Sequence, residues 1–194
     1  MVALGTNCCG RQTSGAGGNL ALARFNTDGT LDTSFSSDGI TTLSFGGTEM
    51  GQGLAIQSDG KIVVVGQTNS GSDAVVARFN TNGSLDTTFD GDGKKNISFA
   101  GSAGAVDVAI ESSGNLLIAM WTGGDEVIMR LTSSGALDTT YAGGIGYRTV
   151  DFGGGDLPLR MVLDGSGRLI VSGFSDLGDA TLFRLTPSGD LDTT

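Results

Sequence analysis

The tripeptide Leu-Asp-Thr occurs four times, at Leu31-Asp32-Thr33, Leu85-Asp86-Thr87, Leu137-Asp138-Thr139 and Leu191-Asp192-Thr193, with intervals of 54, 52 and 54 residues. An aromatic residue follows three of the copies at one offset (Phe35, Phe89, Tyr141), and Phe45, Phe99 and Phe152 keep the same period. Each copy is preceded by an arginine beside a large apolar residue: Arg24-Phe25, Arg78-Phe79, Arg130-Leu131 and Arg184-Leu185. Several markers in one register confine the chain to repeats of a single supersecondary unit, whose apolar surfaces are buried only by its neighbours.

One unit contains four strand-length runs, A to D. Residues 53–57 (A) meet Ser58-Asp59-Gly60-Lys61, followed by Ile62 to Val65 (B), Ala74 to Phe79 (C) and residues 95–99 (D). β-Branched residues dominate these runs and none is long enough for a helix. Asp59-Gly60, Ser113-Gly114 and Ser166-Gly167 mark the A–B connection as a tight hairpin, since glycine takes positive φ without steric cost. The B runs (Ile62 to Val65, Leu116 to Trp121, Leu169 to Val171) are apolar on both faces, so both faces must be covered. With no helix to do this, the cover is other sheets. The expected fold is therefore all-β: a β-propeller built from four-stranded repeats of about 53 residues.

Residues 1–194 form a single repeat array: 1–45 a partial blade (strands B to D), 53–99 and 105–152 complete blades, and 158–194 a partial blade (A to C). Neither terminal blade is complete, so the propeller is expected to be part of a longer chain or to be assembled from more than one chain.

The pattern running from Ala55-Ile56-Gln57-Ser58-Asp59-Gly60-Lys61 to Leu85-Asp86-Thr87-Thr88-Phe89 resembles the delta-60 repeat family of bacterial β-propellers, and more distantly the NHL-type propeller repeat. Later units depart from it: Ser113 and Ser166 replace the hairpin Asp, and Tyr141 replaces Phe. The resemblance implies a bacterial, secreted or cell-surface, non-catalytic repeat array. In an up-and-down meander the A–B and C–D turns share one face and the B–C and D–A loops the other. The first set is uniform between units and reads as scaffold. The second varies, and variable loops on a rigid frame are where binding is placed.

Candidate ligand-binding residues on that variable rim are Trp121, Asp73, Asp125, Asp176 and Asp179, with Glu49, Glu126 and Asp156 as further acidic groups. The in-register pairs Arg24 with Asp32, Arg78 with Asp86, Arg130 with Asp138 and Arg184 with Asp192 read as structural, a guanidinium fork fixing each C–D connection. The run Asn26-Thr27-Asp28-Gly29 only brushes the calcium-loop pattern and reads as a repeated Asx turn, so no metal ligands are assigned. Core packing of Trp121 competes with stacking on a sugar. The neighbours Cys8 and Cys9 form no disulfide framework and are expected as a vicinal disulfide or free thiols.

The 11 basic against 21 acidic residues, a net charge of −10, oppose a nucleic-acid surface, and the absence of histidine removes ordinary Ser-His or Cys-His activation. No apolar run is long enough to span a bilayer. The expected role is a non-enzymatic scaffold or adhesion and binding platform of a bacterial extracellular protein, with no required cofactor. Its expected partners are other copies or further repeats, and a glycan or protein at the rim. The alternatives are a hydrolase or lactonase-like propeller whose rim carboxylates hold calcium, and a carbohydrate-binding, lectin-like propeller.

Overall fold

The computed structural model describes residues 1–7, 18–68, 73–99, 101–176 and 178–194. Cys8 and Cys9 lie outside the described residues. The first sheet holds β1 (Val2–Asn7), β2 (Asn19–Arg24) and β3 (Ile40–Leu43). The second holds β4 (Glu49–Ile56), β5 (Ile62–Thr68), β6 (Asp73–Phe79) and β7 (Lys94–Ile97). The third holds β8 (Ala103–Ile110), β9 (Leu116–Thr122), β10 (Asp125–Leu131) and β11 (Tyr147–Val150). The fourth holds β12 (Asp156–Leu163), β13 (Leu169–Ser175) and β14 (Ala180–Leu185). All four are antiparallel meanders with strands in chain order, and they close no barrel. The fold is all-β and matches a partial β-propeller. One short 3-10 turn, Ala142–Gly144, interrupts the third C–D connection.

The sheets stack face to face. Val63, Val65, Ala74 and Val76 of the second meet Leu116, Ile118, Met120 and Val127 of the third in one dry cluster. Leu117, Ala119 and Ile128, on the opposite side of the third sheet, meet Leu169, Val171 and Phe183 of the fourth. Strands β5 and β9 are thus apolar at successive positions because each side has its own neighbouring sheet. The innermost strands β4, β8 and β12 pack on the sheet before them and, from β4 to β8 to β12, on one another. Each carries an irregularity at the same place, between Gly51 and Gly53, Ala105 and Asp107, and Pro158 and Arg160. The innermost strand of the second sheet therefore begins at Glu49, ahead of the residue 53 expected from its pattern, because a bulge breaks the two-residue alternation.

The A–B hairpins have three-residue tips. Gln57 N–H donates to Lys61 O at 2.8 Å and Gly60 takes φ +83°; Glu111 to Asn115 with Gly114, and Asp164 to Arg168 with Gly167, repeat the arrangement. A type I turn closed by a left-handed residue explains the glycine at the last tip position.

The C–D connections tie each sheet to the next. Asp86 Oδ1 accepts from Thr88 N–H at 3.2 Å and from its hydroxyl at 2.7 Å, a local turn that makes the repeat read Leu-Asp-Thr-Ser/Thr. Asp86 Oδ2 takes the Arg78 Nε–H at 2.6 Å. The rest of the guanidinium does not fork onto that carboxylate. One amino group donates to the Thr88 hydroxyl at 3.1 Å and the other to the Ser133 carbonyl of the following sheet at 2.5 Å. Arg130 repeats this with Asp138 (2.8 Å), Thr140 (3.1 Å) and the Pro187 carbonyl (3.0 Å). Arg24 repeats it with Asp32, Ser34 and the Thr81 carbonyl. The guanidiniums lie 4.8, 5.0 and 4.6 Å from the centroids of Phe35, Phe89 and Tyr141. Those rings in turn press on Gly83, Gly135 and Gly189 of the next sheet, where a side chain would collide with the ring. Arg184, in the fourth sheet, pairs with Asp192 at 2.8 Å and otherwise, among the described residues, reaches only Thr194.

Two outcomes follow. Arg78→Lys loses the bonds to Thr88 and Ser133, and is expected to lower the melting temperature by about 3–6 °C, equivalent to about 1–2 kcal/mol. Arg184→Lys, whose guanidinium bonds only within its own unit among the described residues, is expected to do less in dilute protein; equal losses in thermal melts would contradict the inter-sheet role. The Asp192 carboxyl is held down to about 2, first by the Thr194 hydroxyl and amide and then by Arg184. Asp138 is also lowered, by Thr140 against the effect of burial and with help from Arg130. Carboxyls depressed in the folded state contribute stability that is present above their unfolded value near 4 and is lost as pH falls through the folded value. Urea midpoints are therefore expected to drop steeply between pH about 4 and 2.

Candidate functional site

The B–C and D–A connections meet at the rim opposite the Arg–Asp pairs. Its organising residues are the first positions of the innermost strands. Glu49 is buried and caps the turn before it, its Oε1 accepting from Phe45 and Gly47 N–H at 2.9 Å each. Asp156 occupies the same register in the fourth sheet and caps with Oδ2, which accepts from Phe152 N–H at 2.6 Å. The equivalent residue of the third sheet is Ala103, paired with Thr122 as Glu49 is with Thr68 and Asp156 with Ser175. A buried carboxylate is tolerable here because it satisfies turn amides, but among the described residues Glu49 Oε2 and Asp156 Oδ1 have no donor.

Glu126, fully buried, occupies the register that holds Leu20, Ala74 and Ala180 in the other sheets. Its Oε1 accepts from the Thr181 hydroxyl across the sheet interface at 2.7 Å, while Oε2 has no donor. Burial pushes its carboxyl up, the Thr181 bond opposes this, and the charge of Asp156 pushes it further.

The rim candidates separate into two places. Asp73 begins β6 and accepts from the Ser98 hydroxyl at 2.6 Å. Asp125 begins β10, and one of its carboxylate oxygens lies with one each from Asp151 and Asp156, all within 4.8 Å of one another. Asp176 lies beside this group, its amide donating to Gly155 O at 2.7 Å and its side chain packed on Gly154 and Gly155. Asp179 is exposed and closes the β13–β14 turn, its carbonyl accepting from Ser175 N–H at 2.9 Å. Trp121 is half-buried, with its indole and the Gln67 amide both pressed on Gly104. Asp151 was missed by sequence reasoning because it follows a D strand, where the other units carry Ser44 and Ser98. Comparison of the units at that one register would have found it.

Clefts also open at the opposite face. One of about 610 Å³ lies between successive A–B turns and is lined by Glu111, Ser113, Arg130, Asp164, Ser166 and Pro187 among others. It follows the gap between two sheets, and Arg130 on its wall is committed to Asp138 and Pro187.

A family model described as a domain of unknown function (DUF5122) beta-propeller matches residues 9–35 and 57–89. The repeats are β-propeller repeats. A protein of unknown function from Bacteroides caccae has a similar structure, with a TM-score of 0.57 and 13% identity over 90% of this chain. The chain spans 54% of that protein. A catalytically inactive virginiamycin B lyase from Staphylococcus aureus, solved with quinupristin, aligns over 99% of this chain and 73% of its own at 14% identity and a TM-score of 0.46. At 13% identity the likeness to the Bacteroides caccae protein concerns fold alone. No curated protein matches the chain.

Glu126→Gln tests the electrostatics of the rim. A carboxyl raised in the folded state loses its favourable contribution as pH rises through the folded value, so the charged group burdens the fold at neutral pH. In chelator-containing buffer at pH 7 the variant is expected to melt about 2–4 °C above the wild type, with the gap closing towards pH 4.5. A lower melting temperature at pH 7 would show that Glu126 is held charged by a stabilising partner.

Proposed function

We propose that the chain is a non-catalytic β-propeller repeat module of the delta-60 kind that acts as a scaffold and binding platform by self-association, in a bacterial extracellular or cell-surface setting. The observation that carries this reading is the outward face of β12–β14. In the second and third sheets the side that faces the next sheet is dry: Val76 and Ile128 are both 0% exposed. The residue in the same register of the fourth sheet, Leu182, is 70% exposed, and Val162 on the same side is 57% exposed. Phe174 and Leu191 extend the apolar patch, and a shallow cleft of about 450 Å³ beside Leu182, Ile170 and Leu191 breaks it. Every other use of this side of the repeat ends in burial against another sheet.

The occupant that fits is the β1–β3 sheet of a second copy. Its free side presents Ala3, Gly5, Ala21 and Ala23, small residues at positions where the third and fourth sheets present Ile118, Met129 and Phe183. Large residues on one copy then meet small ones on the other, continuing the inter-sheet interface of the chain itself. Such a contact is head-to-tail, producing rings or open arrays according to whether the rotation closes. The bacterial and extracellular setting is supported by the resemblance to delta-60 repeats, and the scaffold role by the commitment of the repeated arginines to joining sheets.

Sedimentation equilibrium across a wide concentration range is expected to show reversible self-association, with Leu182→Asp shifting the distribution to monomer. A wild type that stays monomeric at every concentration would overturn the proposal.

A further inference from the structure

The rim carboxylates Asp125, Asp151 and Asp156 occupy a position that recurs at each of the three junctions between successive sheets. It is formed by the first residue of strand C, the residue after strand D, and the first residue of the following strand A. Between the second and third sheets these residues are Asp73, Ser98 and Ala103, and between the first and second they are Asn19, Ser44 and Glu49. In the Asp73 version the single carboxylate is satisfied by the neighbouring hydroxyl, Ser98 Oγ donating at 2.6 Å. Between the third and fourth sheets the hydroxyl is replaced by Asp151 and the alanine by Asp156. The same backbone geometry then converges three carboxylates with no donor side chain among them.

Two further observations show that this group has oxygens that lack partners among the described residues. Asp156 is only 3% exposed, and after Phe152 N–H is placed on Oδ2 its Oδ1 is a buried oxygen with no hydrogen-bond partner. Glu126, also buried and close enough for the charge of Asp156 to act on it, has an unpartnered Oε2. Among the described residues no lysine or arginine pairs with any of the four. Carboxylates this close repel one another strongly unless a cation lies between them. Their separation suits one: oxygens bound at about 2.3–2.6 Å to calcium lie no more than about 5 Å apart, and three or more hard oxygens, completed by carbonyls and water, are its usual ligands.

We propose that Asp125, Asp151 and Asp156 bind one calcium-sized divalent cation between the third and fourth sheets. The cation would bridge strand C of one unit to strand A of the next, on the rim opposite the arginine bonds, joining the two sheets at both ends. This proposal does not depend on self-association.

The test is calcium titration of the intact chain by calorimetry, with thermal melts and terbium luminescence excited through Trp121. That residue is the only tryptophan and neighbours Thr122, the partner of Asp125 in the strand pairing. One equivalent is expected to bind, with melting raised by about 3–5 °C at tenfold excess over the dissociation constant and terbium emission displaced by calcium. Asp151 is exposed, so Asp151→Asn is expected to fold normally while weakening binding by more than tenfold. Asp73→Asn, at the equivalent position one unit earlier, is expected to bind as the wild type does. No binding at several millimolar calcium would overturn the proposal, as would an Asp151→Asn variant that binds as tightly as the wild type.

Discussion

A single arginine per repeat holds the propeller sheets in register. Arg78 bonds with Nε to an aspartate of its own unit, with one amino group to a threonine, and with the other to a carbonyl of the next unit. Its guanidinium carbon lies over the Phe89 ring, which presses on Gly135 of that next unit. An ion pair this deeply placed is stable only when its polar atoms are matched, which makes the geometry exacting. The glycine is required twice over, for its φ of +91° and for the space the ring takes. The three-part contact sets the distance and angle between neighbouring sheets, and the apolar faces fill the gap so defined.

Because one rim is held this way, the other is free to vary. At that rim the chain places polar and charged groups where the scaffold does not need them: Glu126 in a register of Leu and Ala, Asp151 in a register of Ser, Asp156 in a register that elsewhere holds Ala or Glu. A repeat protein offers an internal control for such departures, since each position is built several times on one backbone. Local departures from the packing rules tend to mark binding sites, and here they cluster between the third and fourth sheets.

Much of this was legible in the chain. The period, the alternation of short apolar runs with glycine-marked turns, and the recurring arginine and aspartate led to an all-β, four-strand unit. The pairing of Arg24 with Asp32 lies within eight residues and follows from register. The third partner of each arginine did not: Ser133 is 55 residues from Arg78. The innermost strands were read short because their bulges interrupt the alternation from which strands are recognised. The acidic group was only half visible, since Asp125 and Asp156 border the variable loops at the starts of their strands but Asp151 directly follows a D strand, in a register occupied elsewhere by serine.

The sequence by itself determined the repeating unit, its strand order and its turns, because these rest on residues close together in the chain and on side-chain periodicity. Only the tertiary structure decided which unit touches which group of its neighbour. The arginine's reach to the next sheet, the carboxylates brought within 4.8 Å, and the bare apolar side of the fourth sheet all arise from stacking. Stacking joins residues a full repeat apart, and their proximity is set by the twist and spacing of the sheets rather than by any local pattern.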